Sequence, residues 1–110
     1  MPRSARQSVG GVIYHVLNRG NGRQRLFHAA GDYDAFVALL AEVKQAVPGI
    51  LVLAYCLMPN HWHLVLRPHQ SPDLPRFIAW LCTTHVRRHH EHYHIRGGGH
   101  LYQGRWAESI

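Results

Sequence analysis

The sequence is short of acid. Its 110 residues hold six aspartates and glutamates against twelve lysines and arginines, a formal net charge of +6 with histidine neutral. None of the six acids falls in the first 31 residues, where Arg3, Arg6, Arg19, Arg23 and Arg25 stand. Lysine is nearly missing too. Eleven of the twelve basic residues are arginine, whose planar fork suits phosphate oxygens better than a point charge does. A second basic group, Arg87, Arg88, Arg96 and Arg105, gathers toward the other end. Two such groups predict a polyanion held between them, and nucleic acid is the expected partner. A GC-rich genome would explain arginine in place of lysine, but not an acid-free N-terminal third.

Long apolar runs are lacking as well. The longest, residues 50–58, has nine residues, where a membrane-spanning helix needs about 18. No apolar stretch near the start could serve as a signal peptide. Cysteine is scarce: Cys56 and Cys82 lie far apart inside apolar segments. They make neither a disulfide framework nor a CxxC site, and read as buried thiols of a reducing compartment, by default the cytoplasm. The length fits one domain, residues 1–110.

Histidine, by contrast, is plentiful, with eleven residues. The stretch MPNHWHLVL places His61 and His63 two apart at the head of an apolar run. On a strand they share one face, with Trp62, Leu64 and Leu66 on the other. Two imidazoles at that spacing can aim lone pairs at one ion, and the donor type favours zinc, manganese or a similar metal. HxH alone has a simpler reading, as two half-exposed side chains at a strand mouth. The tract HVRRHHEHYHIRGGGH adds His85, His89 and His92 on one helix face, a spacing that can also hold zinc. Its expected disposition is His85 partly buried and the others on a wet, DNA-facing surface with Arg87 and Arg88.

The elements follow from spacing. Residues 11–18 alternate as a strand that ends at the loop Asn18-Arg19-Gly20-Asn21-Gly22. From Asp32, the positions Tyr33, Phe36, Val37, Leu40, Val43 and Val47 repeat at helical intervals up to Pro48-Gly49. Residues 50–57 are an apolar run of strand length, read as buried. Met58-Pro59-Asn60 is a turn, with Asn60 able to take positive φ, and 61–67 is the returning strand. Ser71 as N-cap, Pro72 and Asp73 start a helix whose stripe is Leu74, Phe77, Ile78, Leu81 and His85, running to about residue 92. Gly97-Gly98-Gly99 stops it, and 100–106 is a last strand. The order β-α-β-β-α-β predicts an α+β, ferredoxin-like sandwich whose first and third strands are central.

Three stretches, YHVLNRGNGRQRLF, AYCLMPNHWHLVLRP and GGGHLYQGRW, together resemble the REP-associated tyrosine transposases of the HUH superfamily. The resemblance covers nearly the whole chain. It implies that His61 and His63 are the metal-binding pair. It also matches Asn18 and Arg19 to the family's NRG stretch, and Gln103, Gly104 and Arg105 to its QGR stretch. With the charge pattern, the expected DNA-binding residues are Asn18, Arg19, Arg23, Arg25, Arg87, Arg88, Gln103 and Arg105. The implied cofactor is Mg2+ or Mn2+ and the implied partner single-stranded or hairpin DNA, bound by a monomer or homodimer. The implied reaction is cleavage and rejoining through a 5′-phosphotyrosine.

The family's nucleophilic tyrosine sits beyond the QGR motif, in a stretch reading approximately Tyr-Val-Glu-x-Asn-Pro-x-Arg-Ala. This sequence ends at Ile110 before such a stretch, so a truncated, fragmentary or degenerate member is expected, itself inactive. Glu108 is a possible third metal ligand. Among rivals, a histidine-triad hydrolase would need histidine where Val65 stands, and a cupin a glutamate near Arg67 and Pro68. An RNA-recognition module would need aromatics in place of HWHLVLRP. A nucleic-acid-binding module without catalysis is the alternative that survives.

Overall fold

In the computed structural model, residues 8–95 and 100–110 are described, Arg105 and Trp106 by their backbone alone. Expectations for Arg3, Arg6, Arg96, the Gly97-Gly98-Gly99 stop and the Arg105 side chain lie outside the described residues. The elements are β1 (Tyr14–Gly20), a 3-10 turn (Asn21–Arg23), α1 (Ala30–Ala46), β2 (Ile50–Met58), β3 (His61–Pro68), α2 (Asp73–His92) and β4 (Tyr102–Ser109). The strands form one antiparallel sheet in the order β2-β3-β1-β4. That is the expected α+β arrangement, with β1 and β3 in the centre.

Strand alternation divides the sheet into two faces. Tyr14 and Val16 of β1 and Trp62, Leu64 and Leu66 of β3 point to the helices and are buried. Phe36, Leu39, Leu40 and Val43 of α1 and Leu74, Phe77, Ile78 and Leu81 of α2 close over them. Trp62 sits in the middle, 5.7 Å from the Phe36 ring, its indole N–H donating to the Tyr102 hydroxyl at 2.9 Å. The opposite face of the sheet carries His15, Arg19, His61 and His63, none of them buried, and no described helix covers it.

Several expectations shift. Leu39 replaces Val37 on the inner stripe of α1, and Val37 is exposed. α1 starts at Ala30, because the Asp32 carboxylate accepts the N–H groups of His28 and Ala29. α2 is not capped by Ser71. Its N-cap is Pro72, without a side-chain cap bond, and Asp73 in the first turn ties the preceding loop to it by accepting the Gln70 N–H at 2.9 Å. Asn60 does not adopt positive φ; among the described non-glycine residues only Arg23 and His94 do.

The largest change concerns β2. It is an edge strand, and apart from Ile50 its residues are exposed or half-buried. Leu51, Leu53, Tyr55 and Met58 face solvent. The apolar run therefore does not report burial, since an edge strand lacks a neighbour on one side. Cys56 is consequently exposed as well, and not the buried thiol expected.

Candidate metal centre and nucleic-acid interface

β1 and β3 run antiparallel with Arg19 opposite His61, Leu17 opposite His63 and His15 opposite Val65. His61 and His63 thus project from the open face, as their spacing predicts. Both rings are half-buried, with centroids 5.1 Å apart and nearly perpendicular planes. His61 Nδ1 bonds Asn60 Oδ1 at 2.9 Å. His63 Nδ1 lies 2.8 Å from His15 Nε2. The His15 and His63 planes are within 11° with centroids 5.0 Å apart, so the rings meet edge to edge through one N–H···N bond. Burial lowers the pKa of His63, and the neighbouring His15, His61 and Arg19 lower it further. A neutral imidazole is the form that can ligate a metal.

Beside His61 an open cleft of about 630 Å³ is lined by Arg19, Gly20, Arg23, Asn60, His61 and Gln103. Three loops are stitched together to form it. Gly20 N–H donates to the Asn60 carbonyl at 2.8 Å, and Leu26 N–H to the Pro59 carbonyl at 2.7 Å. Gln24 Nε2 reaches the carbonyls of His100 and Leu101, tying the N-terminal loop to the start of β4. Gly20 is required there: a Cβ would lie 2.0 Å from the Gln24 carbonyl oxygen. Gly22 and Arg23 both hold left-handed backbone, which is costly for arginine and turns its side chain's base at the cleft wall.

Arg19, Arg23 and Gln103 thus meet next to the imidazole pair. Arg25 is exposed two residues further on and does not line the cleft. The other expected contacts fall elsewhere. Asn18 points into the protein and is buried: Nδ2 donates to Cys82 Sγ, and Oδ1 accepts the Arg19 N–H. Strand alternation dictates this, since Asn18 lies between Leu17 and Arg19. Arg87 and Arg88 belong to α2, which covers the other face of the sheet. Arg88 forms a two-pronged pair with Glu42 of α1 at 2.8 and 2.9 Å. Of Arg105, only the strand position, opposite Asn18, is described.

His89 departs from the wet surface expected of it. It is buried, with Nε2 3.2 Å from His28 Nε2 and Nδ1 lacking a hydrogen-bond partner. Among the described residues no group of three or more His, Cys, Asp or Glu side chains could hold a metal ion. Glu108 stands opposite His15, one strand away from the pair. Cys56 stands opposite His63 and Met58 opposite His61.

None of the five tyrosines lines the cleft. Tyr14 is buried and accepts the Val9 N–H, and Tyr33 stacks on Phe27. Tyr55 lies on the edge strand. The Tyr93 hydroxyl donates to Asp32, a bond that raises its pKa. Tyr102 is pushed well above the ordinary phenol range by burial and by Cys82, which outweigh the Trp62 bond.

Residues 8–109 match the family described as IS200-like transposase. The chain belongs to that family. Among curated proteins no match is found. The fold is that of a candidate transposase of Deinococcus radiodurans R1, with 22% identity and a TM-score of 0.70, over 100% of this chain and 86% of that one. It is also that of a REP-associated tyrosine transposase bound to a REP hairpin, with 18% identity and a TM-score of 0.64. There the match covers 100% of this chain and 62% of the other. No described helix is long and apolar enough to cross a membrane.

Two members of the site escape the sequence reading. His15 was seen only as a strand residue and Asn60 only as a turn residue. The signal for His15 was available in its alternation: it shares a face with Leu17 and Arg19, and so with whatever β3 shows there.

Proposed function

We propose that this chain is the metal- and DNA-binding domain of a transposase that cleaves and rejoins single-stranded or hairpin DNA. One observation carries the reading: the cleft that brings Arg19, Arg23 and Gln103 against His61, on the face that also bears His63. Arginine forks would bind the phosphates on either side of the scissile one, and Gln103 would bond a phosphate oxygen or a base edge. The residues present suit a divalent ion, because two imidazoles stand on adjacent positions of one face with both Nδ1 atoms already engaged. His61 and His63 would hold it. Two nitrogen donors favour Mn2+ over Mg2+, which prefers oxygen. When bound, such an ion would polarise the scissile phosphate and offset charge developing on it.

In the reaction so proposed, a tyrosine hydroxyl attacks phosphorus and gives up its proton. The bond from phosphorus to the 3′ oxygen breaks, leaving a 3′-OH and a 5′-phosphotyrosine. No tyrosine lines the cleft, which supports a nucleophile supplied from outside it, by another segment or another chain. The same observation favours a second reading, a nucleic-acid-binding module without catalysis. We place the protein in the cytoplasm with its DNA, as monomer or homodimer.

Two measurements test the proposal. Mn2+ titration by calorimetry should give one site, lost in His61→Ala. A labelled DNA hairpin should still bind that variant within about threefold, because the arginines remain. Mn2+ binding that survives His61→Ala and His63→Ala would sink the metal reading. A covalent protein–DNA adduct formed by the wild-type chain, and lost in any one Tyr→Phe variant, would place the nucleophile within this sequence.

A further inference from the structure

Each imidazole of the proposed metal pair has its Nδ1 occupied by a different neighbour, and each Nε2 is without a partner among the described contacts. The bond from His61 Nδ1 runs to Asn60 Oδ1, an atom that can only accept. The proton on this ring is therefore on Nδ1. The bond from His63 Nδ1 runs to His15 Nε2, and either ring could be the donor. A metal on His63 Nε2 resolves it: the remaining proton must sit on His63 Nδ1 and donate, with His15 accepting at Nε2 and protonated at Nδ1. Glu108 of β4 pairs with His15 across the β1–β4 ladder.

We infer that His15 and Asn60 are positioning residues, which fix His63 and His61 in the Nδ1–H tautomer and aim both Nε2 lone pairs at one ion. The inference rests on the metal reading above. Its physical basis is general. A ligating histidine almost always donates its other N–H to a fixed acceptor, which sets the tautomer and ring angle and strengthens the ligand. Here one acceptor is a turn amide and the other an imidazole on the adjacent central strand. Neither can move far, since β1 and β3 form the middle of the sheet and the Asn60 carbonyl is bonded to Gly20. The in-plane meeting of the His15 and His63 rings leaves the remote edge of His63 facing away from His15.

The test needs no activity. A long-range 1H–15N correlation spectrum of the 15N-labelled wild-type chain at neutral pH reads both tautomers directly. His61 and His63 should each show a protonated Nδ1 and a bare Nε2, and added Zn2+ should shift the two Nε2 signals. His15→Phe should scramble the His63 tautomer and weaken Mn2+ binding ten- to a hundredfold. His15→Gln, whose amide oxygen can still accept, should recover most of that loss. Asn60→Ala should do to His61 what His15→Phe does to His63, so the inference stays testable even if one variant fails to fold. An Nε2–H tautomer at His63, or Zn2+ shifts at His15 Nε2 and His63 Nδ1, would overturn it. So would unchanged Mn2+ affinity in a folded His15→Phe. The expected tautomers without Mn2+ affinity would uphold the positioning and sink the metal reading. Reversed tautomers with intact affinity would do the opposite.

Discussion

Two groups of histidines occupy opposite sides of the same sheet and have opposite fates. On the open face His15, His61 and His63 are half-buried, and a hydrogen bond holds the Nδ1 of each HxH ring. On the helix side His85 and His89 are buried among Phe27, Phe36, Tyr93 and Tyr102. Burial, with His89 adding to it and Asp32 opposing, lowers the pKa of His85 to about 4. The Trp62 N–H donates to the Tyr102 hydroxyl, which contacts His85 Nδ1, so a neutral His85 completes a chain of donors and acceptors. Burial also lowers the pKa of His63 on the open face and of His89 beside His85. What separates the two groups is exposure: the unpartnered Nδ1 of His89 is buried, whereas the two HxH rings of the open face are half-exposed.

The strongest way to sharpen this comparison is on β3, where alternate residues serve the two sides. Trp62→Ala should cost about 3–5 kcal/mol, since it removes a fully buried ring from the centre of the core. His63→Ala, one residue along, should cost under about 1 kcal/mol. Urea denaturation of both variants decides it. Comparable losses would mean that the open face is part of the core after all.

Acid should next distinguish the buried group. The folded pKa of His85 lies below the ordinary 6.5, so the unfolded chain binds more protons between those values. Stability is then fully present above about pH 6.5 and falls as the pH drops toward 4. His85 contributes about 3 kcal/mol to that loss, with His89 acting in the same direction. His85→Gln should flatten the slope of stability against pH over this window. A slope unaltered in that variant would assign the acid sensitivity to other groups.

Much of this architecture is legible in the sequence, because alternation and helical spacing report which face is buried. Trp62, Leu64 and Leu66 against His61 and His63 follow from period two alone. The failures have a common physical source. The run ILVLAYCLM is apolar but lies at the sheet edge, and composition does not say which strand has a neighbour on both sides. The tract HVRRHHEHY places charged and imidazole groups on one helix, but nearness in sequence does not say which side of the sheet the helix covers. Asn18, one residue from Arg19, was assigned to DNA with it, although adjacent strand residues cannot share a face. His15 and Asn60 take on their roles only once β1 and the Met58-Pro59-Asn60 turn lie beside β3.

Arginines sharpen the comparison on the side of binding. Arg19→Ala and Arg23→Ala should each weaken hairpin DNA binding and lower the slope of log affinity against log salt by roughly 0.7 to 1. Neither side chain is buried, so the thermal midpoint should barely move. Retained affinity in the double variant would remove the cleft from the DNA path.

The smallest effect is expected from Arg88, and it tests the division of the molecule most directly. Arg88 carries the same formal charge as Arg19 and belongs to the C-terminal group of basic residues, so a reading from charge alone gives the two equal weight. The geometry does not. Arg88 is carried by α2 on the covered face, and both of its terminal nitrogens are committed to Glu42. That pairing cancels its charge locally and raises its pKa, while the exposed setting leaves the pair screened by salt. Arg88→Ala should therefore leave DNA affinity and its salt slope unchanged, with little effect on stability. A fall in affinity comparable to that of Arg19→Ala would show that DNA wraps onto the helical layer, and the two histidine groups would then share one ligand.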